Sequence, residues 1–171
     1  MPSATDLLGV PVPSDEPAFL LALGAHVAAG LTAVTAGAVA ALSHKRPGLH
    51  RRAGLTYCWG LLWIFISSLV MAAVRWPHDL HLVVIGVVGL SAATWGIILR
   101  IRARTNWQRF HLAAMGISYI ALLTGFYVDN GPHLPGWRVL PRWSFWVLPS
   151  AIGALLIVRA LRRSAASAPS S

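Results

Sequence analysis

Acidic residues and cysteine are scarce in this chain. Its 171 residues include five acidic residues and a single cysteine, Cys58. One cysteine excludes an intramolecular disulfide and gives no redox indication of the compartment. The long apolar runs contain no Asp, Glu, Lys or Arg. The absence of an intramembrane carboxylate weighs against three functions. They are a carboxylate proton relay, a cation-driven transporter and a histidine-bound zinc or copper hydrolase.

Apolar residues dominate what is present. Hydrophobic residues make up 56% of the chain, charged residues 11%, and the mean hydropathy is +0.64, which is too apolar for a soluble domain. A membrane-spanning helix needs roughly 20 apolar residues. Five candidate runs are present, at 17–43, 53–74, 80–99, 110–128 and 143–158. Short connections make neighbouring helices antiparallel.

We therefore predict an all-α polytopic membrane protein with five transmembrane helices. Helices one to four are expected to form a four-helix bundle core, with the fifth packed beside them. The fifth run is the shortest and contains Pro149. The predicted parts are a disordered outer tail over 1–16, a helical transmembrane domain over 17–160 and a cytoplasmic tail over 161–171. No basic residue precedes the first run, so it is interpreted as an uncleaved helix.

The charges separate by side of the membrane. The formal net charge is +9. On one side lie most of the basic residues, namely Lys45, Arg46, Arg51, Arg52, Arg100, Arg102, Arg104, Arg109, Arg159, Arg162 and Arg163. On the other side lie all the acids, Asp6, Asp15, Glu16, Asp79 and Asp129, with Arg75, Arg138 and Arg142. The positive-inside rule then predicts an outer amino terminus and a cytoplasmic carboxyl terminus.

The positive charge predicts a partner as well as an orientation. Arginines on the inner side attract anionic lipid headgroups. The bilayer and these headgroups are therefore the expected partners, and nucleic acid is not.

Histidine is the notable polar residue of the predicted spans. Four of the seven histidines lie near the start of four successive helices: His26, His50, His81 and His111. Alternating helix direction places His26 and His81 in the outer half, and His50 and His111 at the inner side. Each pair joins alternate helices, which a four-helix bundle can place diagonally. Two facing imidazoles are the axial ligands of a low-spin b-type haem.

Residues near these histidines fit a haem or ordinary packing. Gly30 and Gly37 lie close to the face of His26, where small residues admit either a flat macrocycle or a neighbouring helix. Arg51, Arg52 and Arg109 are candidates to pair with haem propionates, because guanidinium groups match carboxylates bidentately.

Each histidine also has a structural interpretation. His50 and His81 lie close to their helix starts, where histidine fits the headgroup region. His26 lies about 14 Å into its span at 1.5 Å per residue, where it could be a core histidine bonded to a serine, a threonine or a backbone carbonyl. The remaining histidines, His44, His78 and His133, are predicted to lie in solvated loops.

The histidine segments resemble a known family. His26 lies in a small-residue first helix, His50-Arg-Arg-Ala-Gly54 opens the second, and Arg109-Phe-His111-Leu-Ala-Ala-Met115 opens the fourth. Over about residues 20 to 160 the chain resembles a bacterial family of predicted membrane proteins catalogued as domain of unknown function 2306. This resemblance implies a helical membrane fold and does not indicate an activity. The predicted location is the bacterial inner membrane.

A second resemblance is one of arrangement. The four histidines on four successive helices are similar to those of ascorbate-dependent di-haem transmembrane cytochromes b. That similarity implies one or two haems b, although the spacing here is tighter and two histidines lie nearer the membrane surface.

Two functional hypotheses follow. The first is a bis-histidine b-type haem protein, an oxidoreductase that transfers electrons across the membrane, with ligand pairs His26–His81 and His50–His111 and a small donor or quinone as partner. The alternative is a non-catalytic membrane protein, either an accessory subunit or a small-solute or lipid carrier, in which the histidines cap helix ends and bond within the bundle.

Overall fold

The structure, a computed structural model, describes residues 5–7, 10–12, 14, 16–43, 48–102 and 106–166. Lys45, Arg46 and Arg104 of the predicted basic loops, together with His44 and Asp15, lie outside the described residues. The same holds for residues 167–171 of the predicted carboxyl-terminal tail.

Five long helices make up most of the described residues. They are α1 (Pro17–Leu42), α2 (Leu49–Val74), α3 (Leu80–Ile101), α4 (Trp107–Asn130) and α5 (Ser144–Ala166). A 3-10 turn over Gly131–His133 follows α4. Each of the five helices is long and apolar enough to cross a membrane. The predicted all-α class with five spans is confirmed, and the helices indicate a multi-pass membrane protein.

Two helices are longer than the apolar runs that predict them. α2 begins at Leu49 instead of Ala53, because His50, Arg51 and Arg52 continue the helix beyond its apolar part. α5 runs to Ala166 instead of ending at Val158, since Arg, Leu and Ala are strong helix formers. Pro149 lies inside α5 and does not end it.

A short hairpin precedes the first helix. β1 (Thr5–Leu7) pairs antiparallel with β2 (Val10–Val12). A two-stranded pair of this length is marginal in isolation. The disorder predicted for residues 1–16 therefore stays a prediction.

The chain divides into two compact units, residues 1–84 and 85–171. In the first unit, α1 and α2 run antiparallel in close contact. A Cβ placed on Gly60 would lie 2.9 Å from the Cβ of Ala33 and 3.3 Å from the carbonyl oxygen of Ala29. Small residues thus let the two backbones approach, which is their usual role between membrane helices.

One end of this unit is closed by an apolar cluster and an ion pair. Phe19, Ala22, Met71 and Leu82 form the buried cluster. Arg75 Nη1 donates to Asp79 Oδ1 at 2.7 Å, and its guanidinium carbon lies 5.7 Å from the centre of the Phe19 ring. The buried carboxylate of Asp79 is therefore paired.

In the second unit, α3, α4 and α5 pack in chain order. A Cβ on Gly96 would lie 3.1 Å from the Cβ of Ala114, and a Cβ on Gly89 would lie 3.4 Å from that of Ala121. Two side chains from α5 pack against glycines. Ile157 lies against Gly116 of α4, and Phe145 lies against Gly131 of the 3-10 turn that follows α4. These are the neighbouring-helix contacts of a helical bundle.

Candidate functional site

The four predicted histidines all lie on helices and are half-buried. His50 and His81 are the second residues of α2 and α3. His111 lies in the second turn of α4, and His26 lies near the middle of α1. His26, His50 and His81 belong to the first unit and His111 to the second.

His50 joins the start of α2 to the end of α1. Its Nδ1 lies 2.8 Å from the carbonyl oxygen of Ala40. This carbonyl belongs to the last turn of α1, where backbone oxygens have no partner within the helix. The imidazole therefore satisfies a helix end and is itself held in a fixed orientation.

His111 makes the corresponding contact between α4 and α3. Its Nδ1 lies 3.0 Å from the carbonyl oxygen of Gly96. The close approach of Ala114 to Gly96 brings this carbonyl within reach of a residue one turn earlier on α4. The ring of Trp107 lies edge-on to the imidazole, with centroids 6.2 Å apart.

His26 reaches from α1 to the middle of α2. Its Nδ1 lies 3.0 Å from Ser67 Oγ and 3.4 Å from Ser68 Oγ. Ser67 Oγ also lies 2.8 Å from the carbonyl oxygen of Trp63, to which it donates. Because its single proton is used there, the Ser67 hydroxyl accepts from His26.

The Nδ1 contact of His81 is local. Its Nδ1 lies 3.1 Å from the carbonyl oxygen of His78, three residues earlier. The contact fixes the ring against the turn that leads into α3.

All four imidazoles have a hydrogen-bond acceptor at Nδ1. A carbonyl oxygen can only accept, so Nδ1 carries the proton in His50, His81 and His111, and the Ser67 geometry assigns the same to His26. In the neutral ring, Nε2 then carries the lone pair. Histidines that bind metals commonly donate their other ring N–H to a backbone carbonyl, which fixes the tautomer and the ring orientation.

The surroundings leave space beside two of these histidines. Gly30 and Gly54 follow His26 and His50 by four residues, and a Cβ on either would meet no heavy atom within 4 Å. Gly37, by contrast, is buried. Neither Gly30 nor Gly54 is therefore required by a close helix contact.

The three arginines predicted to bind propionates are exposed. Arg51 and Arg52 lie in the first turn of α2, and Arg109 lies in the first turn of α4. Each is on the same helix as one of the predicted inner histidines, within a few residues of it.

An apolar groove of about 310 Å³ runs between α1 and α2. Its walls are Ala25, Ala28, Ala29, Thr32, Thr56, Trp59, Gly60 and Trp63. None of the four histidines lines it. The groove is therefore separate from the predicted ligand positions.

A multi-ligand metal site is not built by the described residues. Among them, no group of three or more His, Cys, Asp and Glu side chains could hold a metal ion. A catalytic zinc takes three protein ligands, whereas a bis-histidine haem takes two. A site with two ligands is not counted among such groups, so the predicted haem pairs stay predictions.

Sequence reasoning did not single out Ser67, Ser68 or the Arg75–Asp79 pair. Two adjacent serines in the middle of an apolar span were the available signal for the first. The spacing of four residues between opposite charges was the signal for the second.

Comparison with family models, with curated proteins and with solved structures found no match to this chain.

Proposed function

We propose that this membrane protein is a bis-histidine b-type haem protein that transfers electrons within or across the bilayer. The proposed ligand pairs are His26 with His81, and His50 with His111. One observation carries the proposal: all four imidazoles have an acceptor at Nδ1. The tautomer of each neutral ring therefore directs its basic atom, Nε2, away from the hydrogen bond.

The chain's residues fit such a group in two further ways. Open space at Gly30 and Gly54 lies one helical turn beyond two of the histidines. Arg51, Arg52 and Arg109 are exposed at helix starts, where guanidinium groups can bind carboxylates.

Haem, when bound, supplies a reversible one-electron couple. The protein's own residues would orient and surround it. The Ala40 and Gly96 carbonyls hold the His50 and His111 rings at Nδ1 and increase the basicity of Nε2. The apolar helices would exclude water from the group, and burial together with nearby arginines would set its reduction potential.

Haem-dependent absorption tests the proposal. The protein is expressed with haem supplied, purified in detergent and examined by its reduced-minus-oxidised spectrum. His26→Ala and His81→Ala should lose the same haem signal, and so should His50→Ala and His111→Ala. The matched control is His133→Ala, since His133 is exposed in the turn after α4. Different spectral losses within a pair would refute that pairing.

A second candidate function is a non-catalytic accessory subunit or small-solute or lipid carrier. The contact from His50 to a last-turn carbonyl of α1 favours it, because that contact caps a helix end. His50→Asn and His111→Asn separate the candidates, since an amide keeps a donor near the Nδ1 position but does not ligate iron. If the histidines are structural, both Asn variants should unfold at the wild-type midpoint, and neither the wild type nor the variants should be coloured. The haem role predicts folded variants that have lost their haem.

The proposed location is the bacterial inner membrane, with the amino terminus outside and the carboxyl terminus in the cytoplasm. The segregation of arginines and acids supports it. Because Cys58 is the only cysteine, single cysteines at His133 and at Ser164 can be tested in a Cys58→Ser background. In intact cells an impermeant maleimide should label position 133 and not position 164. Labelling of position 164 alone would reverse the topology.

A further inference from the structure

Exposed arginines gather at one end of the second unit. They are Arg100, Arg102, Arg109, Arg159, Arg162 and Arg163. The helix contacts set their level. In the antiparallel pair α3 and α4, Gly96 faces Ala114 and Gly89 faces Ala121. Arg100 follows Gly96 by four residues, so it lies level with residue 110, four residues before Ala114. Gly116 faces Ile157 across α4 and α5, so Arg163 lies level with residue 110 as well.

The end of α5 contributes three of these arginines to one helix face. Arg159, Arg162 and Arg163 are separated by three and four residues, which places them together on an α-helix. Like charges at this spacing repel one another. An external anion would relieve that repulsion.

Acidic side chains are scarce in this unit. Asp129 is the only Asp or Glu between residues 85 and 171. It lies 20 residues along α4 from Arg109 (129 − 109), or about 30 Å at 1.5 Å per residue. Screening at physiological salt acts over about 8 Å, so Asp129 cannot neutralise the arginine end.

We propose that these six arginines form a binding surface for the phosphate headgroups of anionic phospholipids. The surface lies where the span of α5 ends, at Ser164, and therefore at headgroup depth. Guanidinium groups bind phosphate oxygens bidentately. This surface does not require haem.

Lipid selectivity tests the surface directly. Purified full-length protein in detergent is exposed to phosphatidylglycerol and phosphatidylcholine, and bound lipid is measured by native mass spectrometry. The wild type should prefer phosphatidylglycerol. Each arginine near an anionic surface contributes about a fivefold change in binding, so R159Q/R162Q should weaken phosphatidylglycerol binding by about 30-fold. R159K/R162K keeps the charge and should keep the preference.

R138Q/R142Q removes the same charge from the opposite end and is the matched control. It should leave most of the phosphatidylglycerol preference intact. An equal loss in this control would overturn the proposal, and so would an unchanged preference in R159Q/R162Q. Displacement of the lipid by equimolar inorganic phosphate would assign the surface to a soluble anion instead. With the wild type alone, phosphatidylglycerol binding should weaken as salt is raised from 50 to about 500 mM, and salt-independent binding would also contradict the surface.

Discussion

Replacing Gly60 by alanine should separate α1 from α2. The added Cβ would lie 2.9 Å from the Cβ of Ala33, 3.2 Å from its Cα and 3.3 Å from the carbonyl oxygen of Ala29. Carbon atoms pack best at about 3.5–4.0 Å, and two of these three atoms are backbone. Overpacking of this kind costs about 1–3 kcal/mol. The better helix propensity of alanine offsets about 0.5–1 kcal/mol, which leaves a net loss on the order of 1–2 kcal/mol.

Reversible unfolding in mixed detergent measures this loss as a lower midpoint. Gly24→Ala is the matched control, because Gly24 also lies inside a helix but its added Cβ meets no heavy atom within 4 Å. The control should be neutral or stabilised by about 0.5–1 kcal/mol. Equal stability of Gly60→Ala and Gly24→Ala would refute the close packing of α1 on α2.

Two further predictions concern the polar contacts of the first unit. Ser67→Ala removes the nearer hydrogen-bond acceptor of His26. The loss should lower the free energy of unfolding by about 1 kcal/mol and weaken haem retention about 10–100-fold. An unchanged rate of haem loss on dilution would contradict the expected effect on haem retention. Asp79→Asn leaves Arg75 without its carboxylate and should cost about 1.5–3 kcal/mol in the same unfolding assay, whereas a midpoint equal to that of wild type would show that the pair adds no stability.

The spans were predictable because membrane burial imposes a simple length requirement. A run of roughly 20 apolar residues suffices to identify a spanning helix, and all five runs became helices. Their ends were less predictable. An apolar run stops at the first arginine, whereas a helix can continue through long basic side chains. Accordingly, α2 includes Arg51 and Arg52, and α5 includes Arg159.

The candidate site was predictable only as a set of histidines. His26, His81 and His111 could be identified as polar residues inside apolar segments, and His50 as a histidine just before one. Their partners could not, because backbone carbonyls such as those of Ala40 and Gly96 carry no sequence signal. Which carbonyl faces which imidazole depends on the register of the helix pair, and that register follows from close contacts such as Gly60 against Ala33 and Gly96 against Ala114.

The pairing of histidines across helices was likewise an inference from topology. It predicts His26 opposite His81 and His50 opposite His111, and these pairings stay predictions. Residue identity alone does not distinguish a ligand from a helix cap.

The most direct test of the haem proposal is the absorption spectrum of the purified wild-type protein, with haem quantified as its pyridine complex. The proposal predicts a Soret band, a reduced α-band typical of bis-histidine ligation and one or two haems per chain. A folded, colourless protein from haem-supplied cells would contradict it.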